Sequence, residues 1–163
     1  MRPNNYGLKS REMAKAASFA LKAAAIRKEL SFSTAATLGE RFSQFAKFAK
    51  ENGIKWLEHV DRSLVQTYGR ELAERVQAGK MSPAYAQTLV SAINTVMALV
   101  TGGRWESVSP TKDCGIAERS SLRELPPGAL DRQAYGKALE AIRSALGERV
   151  ASVVELCREL GLR

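Results

Sequence analysis

Between Lys80 and Arg104 the chain carries no charged side chain, and this stretch reads MSPAYAQTLVSAINTVMALVTGG. Ser82 is a good helix cap and Pro83 suits the first helical position, so the stretch predicts a helix from there to about residue 100. Gln, Thr, Ser and Asn interrupt it too often for a membrane span. We therefore expect the helix to lie inside a globular fold, with a core side formed by Leu89, Ile93, Val96 and Val100.

Small neutral groups gather on the other side of the same helix. A solvated helix face usually carries Lys and Glu, so their absence needs an explanation. Either other parts of the protein cover this side, or it enters a DNA groove, where amides pair with base edges and a carboxylate would be repelled. Both explanations stay open at this point. The residues concerned are Ala84, Gln87, Thr88, Ser91, Asn94, Thr95 and Ala98, and the DNA explanation adds Tyr85 as a contact.

The charge distribution favours the DNA explanation. The chain has a formal net charge of +8 and an isoelectric point of about 9.8, which indicates a polyanionic partner. Residues 1–60 hold 11 Lys and Arg against 5 Asp and Glu, whereas the rest of the chain is nearly balanced. An anionic membrane surface or an acidic protein would also be attracted to this basic first third.

Helical periodicity dominates the rest of the chain, and no stretch alternates as a strand. The predicted fold class is all-α: a four-helix bundle followed by a tether and a helical hairpin. Further helices are predicted at 10–30, 33–52, 61–79, 131–146 and 148–160. Ser33 and Thr34 are the cap candidates of the second helix, and glycines stop the second and third. The last helix is expected to bury Val150, Val153, Val154, Cys157 and Leu160.

These patterns predict four segments. Residues 1–30 form a basic N-terminal helix or arm, and residues 31–103 form the main helical domain. Residues 104–130 lose the periodicity and gain Pro, Gly and Ser, which indicates a connector anchored in part by Trp105. Residues 131–163 form a hairpin that is too small to make a core of its own.

The second predicted helix carries a second polar shoulder. Thr34, Thr37, Arg41 and Gln44 follow one another at spacings of three, four and three, and Lys47 lies further round the helix. Hydroxyls, an amide and cations on one side suit contacts with DNA phosphates and bases. An ordinary capped and solvated helix start explains the same pattern.

The order of these motifs resembles a known family. A Thr-x-x-Thr helix start leads into RFSQFAKFAKENGI, and VDRSLVQTYGRELAERVQAGKMSPAYAQTLVSAINTVMALV follows. The pair is similar to the N-terminal, SAM-like core-binding domain of tyrosine recombinases, the phage-integrase family. LPPGALDRQAYGKALEAIRSALGERVASVVELCRELGLR looks like the opening of their catalytic domain.

The resemblance implies a function in DNA integration or recombination for a mobile element. It makes Arg163, in a Gly-Leu-Arg step, the first catalytic arginine, while the nucleophilic tyrosine and the other catalytic groups lie downstream in the family. Residues 1–163 would then bind double-stranded DNA and would have no strand-cleaving activity of their own. The full-length protein is expected to assemble as a tetramer on DNA.

Other chemistry finds little support in the residues. His59 is the only histidine, and Cys114 and Cys157 are far apart in sequence and are expected to be buried thiols. We therefore expect no metal, no cofactor, no small-molecule ligand and no membrane association, and a cytoplasmic location. Two other functions stay open: a non-enzymatic helical DNA-binding regulator and a helical protein-interaction module.

Overall fold

The structure is a computed structural model that describes residues 4–119 and 131–160. The chain divides into two compact units, Met1–Arg119 and Ser120–Arg163, and each is described by itself. The predicted fold class is confirmed, because every regular element in the described residues is helical. The first unit contains α1 (Met13–Ile26), α2 (Phe32–Glu51), a short 3-10 turn (Leu57–His59), α3 (Arg62–Gln77) and α4 (Pro83–Val100). The second contains α5 (Arg132–Leu146) and α6 (Glu148–Glu159).

Helix α1 is a member of the bundle rather than an appended arm, which corrects the predicted boundary at residue 30. It packs against α2 and α4. Its inward side is mostly alanine, with Met13 and Leu21 as the larger apolar residues, and small side chains let neighbouring helices approach closely. The buried residues are Met13, Ala16, Ala17, Ala20, Leu21, Ala24 and Ala25.

Helix α2 begins at Phe32, and its N-cap lies two residues before the first of the predicted caps. Ser31, not Ser33 or Thr34, is the N-cap, because its extended backbone lets its Oγ accept a hydrogen bond from the Thr34 N–H at 3.0 Å. Phe42 and Phe45 of α2 are fully buried, and Phe45 meets Tyr68 of α3 edge to face at a centroid distance of 5.4 Å. These aromatic contacts join α2 to α3 at the centre of the core.

Helix α4 has the start that the sequence predicts. The Ser82 hydroxyl accepts from the Tyr85 N–H, and Pro83 occupies the first turn. By length and composition α4 is the one helix in the described residues apolar enough to cross a membrane, a test that core helices of soluble proteins also pass. Its buried residues lie in the core of the first unit: Ala86, Leu89, Val90, Ala92, Ile93, Val96 and Met97.

Residues 104–119 are part of this core rather than a free tether, which corrects the start of the predicted connector. Val108, Cys114 and Ile116 are at most 3% exposed. Trp105 is half-buried against the core, as its predicted anchoring role requires, and its indole N–H donates to Asn94 Oδ1 at 3.0 Å. Polar bonds and buried side chains together hold this segment on the bundle.

The second unit is a helical hairpin that buries very little. Asp131 caps α5 as predicted, and Gly147, with φ at +88°, separates the two helices. Among residues 131–160, the described part of this unit, only Leu139 and Ala151 are buried, because two short helices cover only one narrow side of each other. The predicted burial on α6 is therefore wrong in this unit: Val150, Val153 and Leu160 are 40–61% exposed, and Val154 and Cys157 are half-buried.

Candidate nucleic-acid interface

Helices α2 and α4 bring two predicted DNA-contact residues together. The Gln44 Nε2 donates to the Tyr85 Oη at 3.0 Å, and Tyr85 is 41% exposed. Arg41 and Lys47 lie one turn to either side of Gln44 on α2, so these side chains share one side of the helix. We call Arg41, Gln44, Lys47 and Tyr85 the α2–α4 shoulder. It offers two cations, an amide and a phenol to a ligand.

Acidic residues limit what this shoulder can do. Glu40 and Glu51 are exposed on α2 and lie within one turn of Gln44 and Lys47, respectively. Carboxylates so close to the shoulder weaken its attraction for phosphate. The shoulder alone is therefore a weak polyanion site.

The two predicted threonines of α2 are exposed but already hydrogen-bonded. Thr34 Oγ1 lies 2.8 Å from Ser31 Oγ, and the Thr37 hydroxyl donates to the Ser33 carbonyl at 3.0 Å. These local bonds are those of an ordinary helix start, which was the alternative explanation. Both oxygens keep acceptor capacity on the surface.

The neutral side of α4 is partly covered by the chain itself. The Asn94 amide donates to the Val108 carbonyl at 2.8 Å, and its Oδ1 accepts from Trp105 Nε1 and from the Val108 N–H, both at 3.0 Å. Gln87 Nε2 donates to the Ala117 carbonyl at 2.8 Å. The absence of charge at Asn94 and Gln87 therefore has a structural explanation.

The rest of that side remains accessible. Ala84 and Ser91 are exposed and Thr88 is half-buried, with its hydroxyl donating to the Tyr85 carbonyl at 2.7 Å. Together with Tyr85 they form a short neutral strip at the start of α4. This strip is what remains of the predicted groove-reading face.

A groove of about 640 Å³ lies between the start of α1 and the second half of α2, and its rim is basic. Arg11, Lys47, Lys50 and Lys55 line it, and all four are exposed. The one acidic lining residue, Glu12, is paired with Lys15 at 2.9 Å. We call this feature, with its four cations, the basic groove.

The floor of the basic groove is apolar. Met13 and Ala46 are buried and Ile54 is half-buried, while Ser43 contributes a hydroxyl. Cations on a rim above a low-dielectric floor attract an anionic chain more strongly than the same charges in open water. Lys47 belongs both to this groove and to the α2–α4 shoulder, so the two features are adjacent.

Sequence reasoning missed Arg11, Lys50 and Lys55 as members of one site. The sequence did indicate a basic surface through the charge excess of residues 1–60, but a charge count does not show which cations lie together in the fold. They come together because the chain turns after α2, so that Lys55 faces the residues ahead of α1.

Three other residues were candidates for reactive or metal chemistry: Cys114, His59 and Arg163. Cys114 is 3% exposed, and burial raises the pKa of its thiol to about 11, so its nucleophilic thiolate is rare at neutral pH. His59 is exposed in the 3-10 turn. Within residues 4–119 and 131–160, no group of three His, Cys, Asp or Glu side chains is placed to hold a metal ion. Arg163, the predicted catalytic residue, lies outside the described residues.

Comparison of the chain with protein-family models, curated proteins and solved structures finds no match.

Proposed function

We propose that the chain binds double-stranded DNA and is the DNA-binding N-terminal portion of a site-specific tyrosine recombinase. The observation that carries the DNA part is the basic groove, in which Arg11, Lys47, Lys50 and Lys55 surround one depression. The α2–α4 shoulder and the strip of Ala84, Thr88 and Ser91 lie on the two helices that would approach the bases.

The basic groove and the α2–α4 shoulder have different roles in the proposed binding. The cations of the basic groove neutralise backbone phosphates, which supplies most of the affinity and makes it depend on salt. Gln44 and Tyr85 supply hydrogen-bonding groups without charge, which suits base edges. Asn94 is left out of this proposal because Trp105 and Val108 occupy both acceptor positions of its oxygen and one of its two N–H donors.

The recombinase part of the proposal is supported by the order of sequence motifs. In that role the protein acts in DNA integration or excision in the cytoplasm, and the full-length protein assembles as a tetramer on DNA. This portion lacks strand-cleaving activity by itself. A His-x-x-Arg step and a tyrosine in the coding sequence after Arg163 would support the class, and a stop codon there would favour a DNA-binding regulator instead.

The DNA part is tested by anisotropy of a fluorescent duplex at 50 and 200 mM salt. The double variant K50Q/K55Q removes two cations of the basic groove, so the ratio between the affinities at the two salt concentrations should fall by roughly tenfold, the effect of losing two phosphate contacts. The matched control is K80Q/K112Q, which changes two exposed lysines outside the groove.

Three results would contradict the proposal. The first is no measurable affinity of the unmodified protein for duplex at 50 mM salt, which a protein-interaction module predicts. The second is equal loss in K50Q/K55Q and in the control, which would mean that total charge, not the groove, attracts DNA. The third is binding to anionic vesicles but not to duplex, which would indicate a membrane surface.

A further inference from the structure

Residues 4–11, ahead of α1, are held in place by the 3-10 turn that precedes α3. The carboxylate of Glu58 accepts hydrogen bonds from three consecutive backbone N–H groups: those of Asn4 at 3.1 Å, Asn5 at 3.1 Å and Tyr6 at 2.6 Å. Successive N–H groups that point at one anion form a nest, an arrangement that binds an anion firmly. Here a side chain of the same protein occupies the nest.

Asn5 adds a second attachment. It is the one buried polar residue of the described chain, with no exposed surface. Its Oδ1 accepts from the Leu57 N–H at 2.8 Å, and its Nδ2 donates to the Ser10 carbonyl at 2.9 Å. One side chain therefore ties the 3-10 turn to both ends of the N-terminal segment.

The backbone of this segment requires such support. Asn5, Tyr6 and Lys9 have φ between +52° and +54°, in the left-handed region. Asn tolerates this region, whereas Tyr and Lys are strained there. Without Glu58 and Asn5 the segment would relax to other conformations, and a strained segment held by dedicated bonds indicates a position that the protein needs.

The segment places two cations in a second depression. A cleft of about 470 Å³ is lined by Asn4, Gly7, Lys9, Ser10, Arg11 and Trp56, and we call it the N-terminal cleft. Lys9 and Arg11 are exposed, and no acidic side chain lines the cleft. Arg11 also lines the basic groove, so the two depressions share a cation and form one basic surface.

The Glu58 carboxylate is ionised in this arrangement. Its burial alone would raise its pKa, but the backbone N–H donors outweigh this effect and hold the pKa below its usual range. Glu58 therefore stays bound to the nest at neutral pH and keeps its full negative charge.

We propose that the N-terminal cleft is a second contact site for the phosphates of duplex DNA, continuous with the basic groove, and that Glu58 is the positioning residue that holds Lys9 and Arg11 there. The inference rests on the proposed DNA-binding function and extends it to a part of the surface that lies outside both predicted helices. It also gives an acidic residue a favourable effect on binding a polyanion.

The sign of one substitution separates this proposal from simple electrostatics. Glu58→Gln removes a negative charge, so Coulomb attraction alone predicts tighter binding to DNA. If Glu58 positions Lys9 and Arg11, the same change weakens binding, by roughly tenfold at 50 mM salt for the loss of two phosphate contacts. Anisotropy of a labelled duplex measures either outcome.

A cycle of variants tests whether Glu58 acts through the two cations. K9Q/R11Q should lower the affinity and reduce the slope of log K against log salt by about 1.8, from about 0.9 for each phosphate contact. Adding E58Q to K9Q/R11Q should cause no further loss of affinity and no further loss of slope, because the positioning effect has no cations left to act on. A general destabilisation would weaken binding in both backgrounds, and urea unfolding of each variant identifies it.

Glu58→Asp keeps the negative charge on a shorter side chain and should restore part of the affinity that E58Q loses. It replaces E58Q in the cycle if E58Q does not fold.

Each outcome decides the proposal. An unchanged salt slope in K9Q/R11Q, with a reduced slope in K50Q/K55Q, overturns the N-terminal cleft and leaves the DNA-binding function standing. Equal or tighter binding by E58Q overturns the positioning role. No duplex binding by the unmodified protein overturns both proposals together, whether or not the protein binds vesicles of anionic lipid through Lys9 and Arg11.

Discussion

At the scale of single residues, close packing explains several identities that the sequence leaves unexplained. Gly69 is buried in α3, and a Cβ placed on it would lie 2.5 Å from Cys114 Cβ and clash with the sulfur as well. Glycine is required here because residues 104–119 lie directly on the helix, and not because of backbone conformation. The neighbouring Tyr68 is 4% exposed within the aromatic cluster.

Gly69→Ala should therefore destabilise the first unit by about 1–3 kcal/mol through overpacking against Cys114. The matched control is Gly39→Ala in α2, where the added Cβ would have its nearest contact at 3.6 Å. That change should be neutral or stabilise by up to about 1 kcal/mol through helix propensity. Urea denaturation followed by circular dichroism measures both, and equal midpoints for the two variants would contradict the packing explanation.

Tyr68 predicts a loss of stability at alkaline pH. Burial raises the pKa of its phenol to about 12, whereas the unfolded chain ionises near 10. The folded state therefore keeps a proton that the unfolded state releases, so this contribution is complete below pH 10 and declines between pH 10 and 12. A shift of two pKa units corresponds to a loss of roughly 2–3 kcal/mol.

The measurement compares the free energy of unfolding at pH 9 and pH 11 in the unmodified protein and in Tyr68→Phe. The variant cannot ionise at this position, so its stability should fall less over the same interval. An identical fall in both proteins would mean that Tyr68 ionises normally in the folded state.

At the scale of elements, the neutral side of α4, from which the sequence predicts contact with DNA, has two parts. Asn94 in its far half holds residues 105–108, whereas near its start Ala84, Tyr85 and Ser91 are exposed and Thr88 is half-buried. The covering explanation therefore applies at Asn94, and base contact by the accessible residues belongs to the proposed function. The covering element is an irregular segment, which carries no periodic signal in its sequence.

Asn94→Ala should destabilise the first unit by about 2–3 kcal/mol, because it leaves the Trp105 N–H and both backbone groups of Val108 without partners. Gln87→Ala is the control, since its single bond to Ala117 is on the surface, and we expect a change below about 0.5 kcal/mol. Urea denaturation measures both. Unaltered stability in Asn94→Ala, with reduced affinity for duplex, would restore Asn94 as a DNA contact.

At the scale of the whole molecule, the hydrophobic core and the basic surface belong to the same unit. The contiguous hydrophobic core runs from Met13 to Ile116, within the first unit. The cations of the basic groove and the N-terminal cleft lie in that unit as well.

We therefore expect a fragment of residues 1–119 to fold alone and to bind duplex with the salt dependence of the longer chain. Its urea midpoint, followed by Trp56 and Trp105 fluorescence, should equal that of the full 163 residues, because both tryptophans lie in the first unit. A fragment that unfolds without cooperativity, or that loses its salt dependence, would show that the second unit is needed for the fold or for binding.

The sequence by itself determined the helices, their starts at Ser82 and Asp131, and the basic character of the first third. Helix caps and helical periodicity involve residues three or four positions apart, so the helices can be predicted from short stretches of sequence. The tertiary structure alone decided that Asn94 binds Val108, that Arg11 joins Lys47 and that Glu58 holds Asn4 to Tyr6. Those outcomes join residues 14 to 54 positions apart, and no local pattern specifies which distant polar group will satisfy a given donor.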